Sequence, residues 1–189
     1  MHIKLIVTHC IFSTVSPEGS VVISPHDIII NFGDNITLTC TAMGGPNVTF
    51  KWEVNREVVG NDSVLNLMAV DATYGDNYYC IVNNSAGTDS TFTTLYVAPY
   101  IVTPLDEQIL AAVNGSSLDI ICDAAGFPYP NVTWVDMFNI EVSNTSHLRF
   151  SPTSFGNEGV YRCVASATIN GRLLVATDDT TLISEILFL

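Results

Sequence analysis

Apolar residues recur at every second position over short stretches of this chain, and the stretches come in matched pairs. Ile36, Leu38, Cys40 and Ala42 alternate with Thr37, Thr39 and Thr41, and Leu118, Ile120, Cys122 and Ala124 keep the same rhythm. Period two is the repeat of a β-strand with one face in a core and the other in water. Val48, Phe50, Trp52 and Val54 predict another strand, and Tyr78, Cys80 and Val82 predict a later one, matched by Tyr161, Cys163 and Ala165. Leu65, Leu67 and Ala69, then Leu148 and Phe150, supply the strand between. Turn residues fill the gaps at Gly44-Gly45-Pro46, Gly60-Asn61-Asp62, Ser85-Ala86-Gly87 and Asn170-Gly171. Valine, isoleucine, threonine and aromatics are abundant while lysine and glutamate are scarce, so strands are favoured over long helices. The expected fold class is all-β.

The matched stretches form an internal repeat. Cys40 and Trp52 lie twelve residues apart, as do Cys122 and Trp134. Tyr78 stands two before Cys80, and Tyr161 two before Cys163. The cysteine spans are 40 and 41 residues, with Cys10 left over and no CxxC pair. Two nearly equal spans read as one buried disulfide in each repeat, Cys40–Cys80 and Cys122–Cys163, rather than as a zinc or redox motif. Each closes a loop that restricts the unfolded chain by about 4 kcal/mol in the loop-entropy description. Such a bridge forms between two packed antiparallel sheets only where inward cysteines face each other, with the tryptophan against it. Tyr78 and Tyr161 are expected to turn their hydroxyls to nearby backbone as tyrosine corners. The expected organisation is a first domain over residues 21–98 and a second over 99–189. Residues 1–20 read as a signal peptide or as a disordered N-terminal segment.

Composition narrows the function. Among 189 residues there are 19 acidic and six basic side chains, a formal net charge of −13 with no basic cluster. Nucleic acid and anionic membrane surfaces are thereby excluded as expected partners. Disulfides imply an oxidising compartment. Asn-X-Ser/Thr occurs at Asn35, Asn47, Asn61, Asn83, Asn114, Asn131 and Asn144, seven candidate glycosylation sites that point the same way. Asn61 and Asn144 are in phase, each nineteen residues before the second cysteine of its repeat. Ile183–Leu189 is apolar but too short to cross a bilayer, so membrane attachment is expected only if a span follows the given chain.

Gly126-Phe-Pro128-Tyr-Pro130-Asn-Val-Thr-Trp134 and Asn157-Glu158-Gly159-Val-Tyr161-Arg-Cys163 resemble motifs of the immunoglobulin superfamily, specifically its I-set and C2-type domains. The first repeat matches at Tyr78-X-Cys80 and Asn84-Ser-Ala-Gly87 and departs at Tyr74 and Asp76. The resemblance covers about residues 21 to 184 and implies two tandem Greek-key β-sandwiches. Twelve residues from Trp52 to Val64 leave little room for the extra C′ and C″ strands of variable-type domains. The resemblance implies a protein that binds a protein ligand or a second copy of itself, in cell adhesion or cell-surface recognition. The alternative is the ligand-binding ectodomain of a signalling receptor such as a receptor tyrosine kinase. Fold alone does not choose between them.

No catalytic residues are expected, and no cofactor or metal site. There is no Gly-X-Ser-X-Gly elbow, phosphate-cradling loop, HExxH or EF-hand spacing. His26 and His147 read as isolated surface histidines, and Asp178-Asp179 as a solvated pair. Cys163 to Leu182 is four residues longer than Cys80 to Leu95, which predicts a longer hairpin around Asn170, Gly171 and Arg172. Hairpin tips are common contact sites, so these three residues are the expected binding hairpin. Glycans at Asn47 and Asn83 would screen one tip of the first domain.

Overall fold

The computed structural model describes residues 21–43, 47–105, 109–113 and 115–185. The N-terminal segment with Cys10, the Gly44-Gly45-Pro46 turn and Asn114 lie outside the described residues. Strands dominate: β1 Val21–Ser24, β2 Ile28–Ile30, β3 Ile36–Ala42, β4 Thr49–Val54, β5 Glu57–Gly60, β6 Val64–Leu67, β7 Asp76–Asn84 and β8 Gly87–Ile101. The second repeat continues with β9 Ile109–Val113, β10 Leu118–Ile121, β11 Ala124–Phe127, β12 Asn131–Asp136, β13 Glu141–Ser143, β14 His147–Phe150, β15 Gly159–Ile169 and β16 Arg172–Glu185. Backbone contacts gather into two compact units. Among the described residues, one holds those up to His26, Thr37–Asn66 and Asn77–Thr93; the other holds Asp27–Ile36, Leu67–Asp76 and those from Thr94 on.

In the first unit a β1-β3-β6 sheet faces a second sheet ordered β5-β4-β7-β8. The alternation predicted from sequence sets which side chains go in. Leu38 and Cys40 on β3, Trp52 on β4, Leu65 on β6 and Tyr78, Cys80 and Val82 on β7 are buried. The Cys40–Cys80 disulfide bridges the sheets with Cα atoms 6.4 Å apart. One expectation is corrected. The stretch from Trp52 to Val64 does hold an added strand, since β5 pairs antiparallel with β4. A two-residue turn makes this possible: Asn55 and Arg56 have φ of 52° and 69°, the positive pair that a type I′ hairpin needs.

In the second unit the last part of β8 pairs in parallel with β2, Ile28 opposite Leu95, and antiparallel with β11, Ala124 opposite Ile101. β10 pairs with β14, and the larger sheet runs β13-β12-β15-β16-β9. Ile120, Cys122, Val132, Trp134, Leu148, Tyr161, Cys163, Ala165 and Leu182 form its core. The Cys122–Cys163 bridge has a Cα separation of 6.3 Å. Here too a short strand, β13, adds to β12. The turn before β15 is a single 3-10 turn at Phe155–Asn157, closed where Asn157 Oδ1 accepts from the Ser154 backbone N–H at 2.8 Å. The turn before β7, where the family pattern breaks, is also a 3-10 turn, Ala72–Tyr74, and Asp71 caps it by accepting from the Thr73 N–H at 2.8 Å. The acceptor side chain stands at the start of the turn in the first repeat and at its end in the second.

Candidate binding surface

The residues expected in the cores are there, and their polar atoms are satisfied. Trp52 stands opposite Cys80 in the β4–β7 ladder, and Trp134 opposite Cys163 in the β12–β15 ladder. Their indole N–H groups donate to Asp62 O at 2.9 Å and to Ser146 O at 3.2 Å, so each ring is buried without leaving a donor unmet. Tyr161 donates its hydroxyl to Asn157 O at 2.8 Å, the expected tyrosine corner. Burial pushes the Tyr161 hydroxyl pKa up, and the negative charge of Asp136 adds to the effect. Tyr78 is buried at the equivalent place. These side chains hold sheets together and present nothing to a partner.

The outer face of β5-β4-β7-β8 presents a good deal. Residues out of phase with the core point outward there: Lys51 and Glu53 on β4, Tyr79 and Ile81 on β7, Phe92 on β8. Tyr79 is 41% exposed and Phe92 46% exposed, and their rings meet with centroids 5.4 Å apart. The next residue, Thr93, is fully buried. Strand period causes this inversion: Thr93 shares a phase with Leu95 and Val97, so Phe92 is put into solvent. Val58 stands opposite Glu53, and Glu53 opposite Tyr79, so an apolar strip interrupted by one carboxylate crosses the sheet. Three inter-strand spacings make it roughly 14 Å wide. Lys51, on the border of the strip, pairs with Glu53 at 2.7 Å. Sequence reading passed over Tyr79 and Phe92. The signal was available in their phase, since each is an aromatic residue beside a position that the alternation assigns to the core.

In the second unit the predicted hairpin is present. β15 and β16 stay in register up to Ile169 opposite Arg172, joined by Asn170 and Gly171 with φ of 50° and 75°. Asn170, Gly171 and Arg172 are all exposed, and Leu173 and Val175 beside them are exposed as well. A second apolar projection was not foreseen. Met137, Phe138 and Ile140 are exposed on the turn from β12 to β13, which is held by Asp136 Oδ1 accepting from the Phe138 and Ile140 N–H groups at 2.9 Å each.

Two readings of charged residues need correction. His147 is not isolated. Its Nδ1 lies 2.9 Å from Asp119 Oδ1 and 3.2 Å from Arg149 Nη2, while Arg149 Nε donates to Asp119 Oδ2 at 2.9 Å. Antiparallel pairing of β10 with β14 places Asp119 opposite Arg149 and makes this cluster. Hydrogen bonds from His147 and then Arg149 hold the Asp119 carboxyl below its ordinary pKa. Asp178-Asp179 is not merely solvated either. Both residues lie within β16, and Arg162 grips Asp179 with two hydrogen bonds of 2.7 and 2.9 Å, lowering that carboxyl's pKa. Among the described residues no group of three His, Cys, Asp or Glu side chains is gathered as a metal site. No helix among them is long and apolar enough to cross a membrane.

The six described sequon asparagines, Asn35, Asn47, Asn61, Asn83, Asn131 and Asn144, are all exposed. Asn83 stands opposite Thr49, which closes the Asn47 sequon, so those two sequons share one end of the first unit's outer sheet face.

Compared with known proteins, the chain matches the profile of the family described as "Immunoglobulin domain" twice, over residues 19–84 and 98–167. The chain belongs to the immunoglobulin-domain family. Both matched segments contain one Cys–Trp–Tyr-X-Cys set, so the immunoglobulin repeat is the repeat read from the sequence. Immunoglobulin superfamily member 10 of Rattus norvegicus is 26% identical over 172 residues, covering 75% of this chain and 6% of the relative. Contactin-1 of Homo sapiens is 26% identical over 172 residues, covering 80% of this chain and 16% of the relative. This immunoglobulin pair therefore spans a small part of the relatives it matches. Among solved structures, the Dpr11 first domain bound to the DIP-gamma two-domain fragment matches with a TM-score of 0.55 at 18% identity, covering 88% of this chain and 96% of that one. That likeness shows a shared tandem immunoglobulin fold.

Proposed function

We propose that this chain is an extracellular, glycosylated immunoglobulin-type module that mediates cell adhesion or cell-surface recognition by protein–protein contact, with residues 21–98 and 99–189 as its two domains. The contact surface in this reading is the outer face of β5-β4-β7-β8, and the hairpin at Asn170, Gly171 and Arg172 is an accessory contact. The observation that carries the reading is the pair Tyr79–Phe92, two touching aromatic rings left in solvent while a threonine takes the neighbouring buried place. Exposed aromatics on a rigid sheet are the residue types that dominate interface energetics. Two intradomain disulfides and seven sequons support an extracellular setting.

The test uses beads coated with the purified, disulfide-intact chain, presented to each other and to cultured cells. Y79S/F92S is expected to lose most of the bead or cell binding while its thermal unfolding stays unchanged, since both rings are already half in water. Binding at the level of the unsubstituted chain would remove this face from the account.

A further inference from the structure

The ladder around each core tryptophan gives the two repeats a common coordinate. Trp52 faces Cys80, and three residues along the strands Thr49 faces Asn83. Trp134 faces Cys163, and three residues along Asn131 faces Ser166. Three is odd, so both of these pairs point away from the core, on the outer sheet face. The same cross-strand pair thus carries a sequon asparagine in each repeat, from β7 in one and from β12 in the other. Opposed residues are about 5 Å apart, so the change of strand barely moves the root of anything attached there. Both asparagines are exposed. On β12 the sequon Thr133 shares the outward phase of Asn131, and at the end of β7 the sequon Ser85 lies exposed in the turn to β8.

We propose that N-linked oligosaccharides on Asn83 and Asn131 cap the same end of the outer sheet face in both repeats, and that the cap over the first confines its protein contact to the Tyr79–Phe92 side. The inference rests on the extracellular function proposed above and adds the modification that limits the site. The donor is a polyprenyl-pyrophosphate-linked oligosaccharide. Asparagine Nδ2 attacks the first sugar carbon, an N-glycosidic C–N bond forms, the C–O bond to pyrophosphate breaks, Nδ2 gives up one proton and the polyprenyl pyrophosphate departs. On β7, Ile81 lies between Asn83 and Tyr79, and Lys51 stands opposite Ile81, so Lys51 is under the edge of the cap. Tyr79 is four residues from Asn83, about 13 Å along the strand and beyond the attachment point.

Lys51 makes the test specific, because the only other lysine is Lys4. The full chain is secreted from insect or mammalian cells behind a supplied signal peptide. Glycopeptide mass mapping then reads the occupancy of Asn83 and Asn131, and a bulky amine-reactive ester reports on Lys51 before and after enzymatic deglycosylation of the folded protein. Expected are glycans at both asparagines and severalfold faster Lys51 labelling once they are removed. S85A, which removes the Asn83 sequon but keeps Asn83, is expected to label faster than the fully glycosylated chain, the Asn47 sequon at the same end being left intact. A secreted, disulfide-bonded chain with bare Asn83 or Asn131 overturns the inference and leaves the adhesion reading standing, as does a Lys51 rate indifferent to the glycans. Retention in the cell with Cys40, Cys80, Cys122 and Cys163 as free thiols sinks the extracellular reading and this inference together.

Discussion

A single phase decides whether an aromatic residue in this chain is scaffold or surface. Tyr78 and Tyr79 are neighbours, yet the first is buried and the second stands in solvent against Phe92. The same rule sends Arg162 and Asp179 outward from either side of Cys163 and Asp178, where they meet as a two-bond ion pair. Arg162 lowers the Asp179 carboxyl pKa in the folded state, through hydrogen bonding first and charge second. A carboxyl depressed on folding stabilises the fold above its unfolded pKa, and that contribution is lost as pH falls through the lower folded value. Both side chains are more than a third exposed, so solvent screening leaves the pair only a small contribution to stability. R162Q is therefore expected to unfold slightly more easily in urea at neutral pH, and the gap to the unsubstituted chain should close in acid well below pH ~3.9, the ordinary aspartate value. A gap that widens on acidification would mean that Asp179 is not held by Arg162.

At the scale of the element, turns decide what the strands can do. β15 and β16 remain paired to their tips because Asn170 and Gly171 both take positive φ, the geometry that matches strand twist. A β-branched residue at Gly171 is strained in that region, where φ is 75°. G171V is expected to cost about 1–2 kcal/mol of stability and to speed amide exchange at Ile169 and Arg172, with the core around Trp134 unchanged. Exchange as slow as in the unsubstituted hairpin would show that strand pairing, and not the turn, sets this tip. Turns also explain what the sequence disclosed. Strands around the cysteines were legible because threonines alternate with apolar residues at Ile36–Ala42, and Asn170-Gly171 announced its turn directly. β5 was hidden because Asn55-Arg56 is an uncommon pair for a type I′ turn, arginine having no special tolerance for positive φ. The Asp119, His147 and Arg149 cluster was hidden for another reason. Its members lie up to thirty residues apart and meet only through the β10–β14 register, which local pattern does not contain.

At the scale of the molecule, charge constrains the partner more than shape does. Nineteen acidic residues oppose six basic ones, and Lys51, Arg149 and Arg162 are each engaged by a carboxylate. Two copies approaching one another each bring a net charge of −13, so a self-contact across the Tyr79–Phe92 face works against mutual repulsion. Salt shortens the reach of that repulsion, from a Debye length of about 30 Å at 0.01 M to about 3 Å at 1 M. A basic partner has the opposite dependence, because its attraction is screened by the same ions. Beads carrying this chain alone are expected to stay dispersed at low ionic strength, and any clustering among them should grow as salt is added. Binding to a basic partner on cells should instead weaken over the same range. Self-clustering strongest at the lowest salt would require a complementary cationic patch on this surface. With three of its six cations already paired, the chain has little left from which to build one.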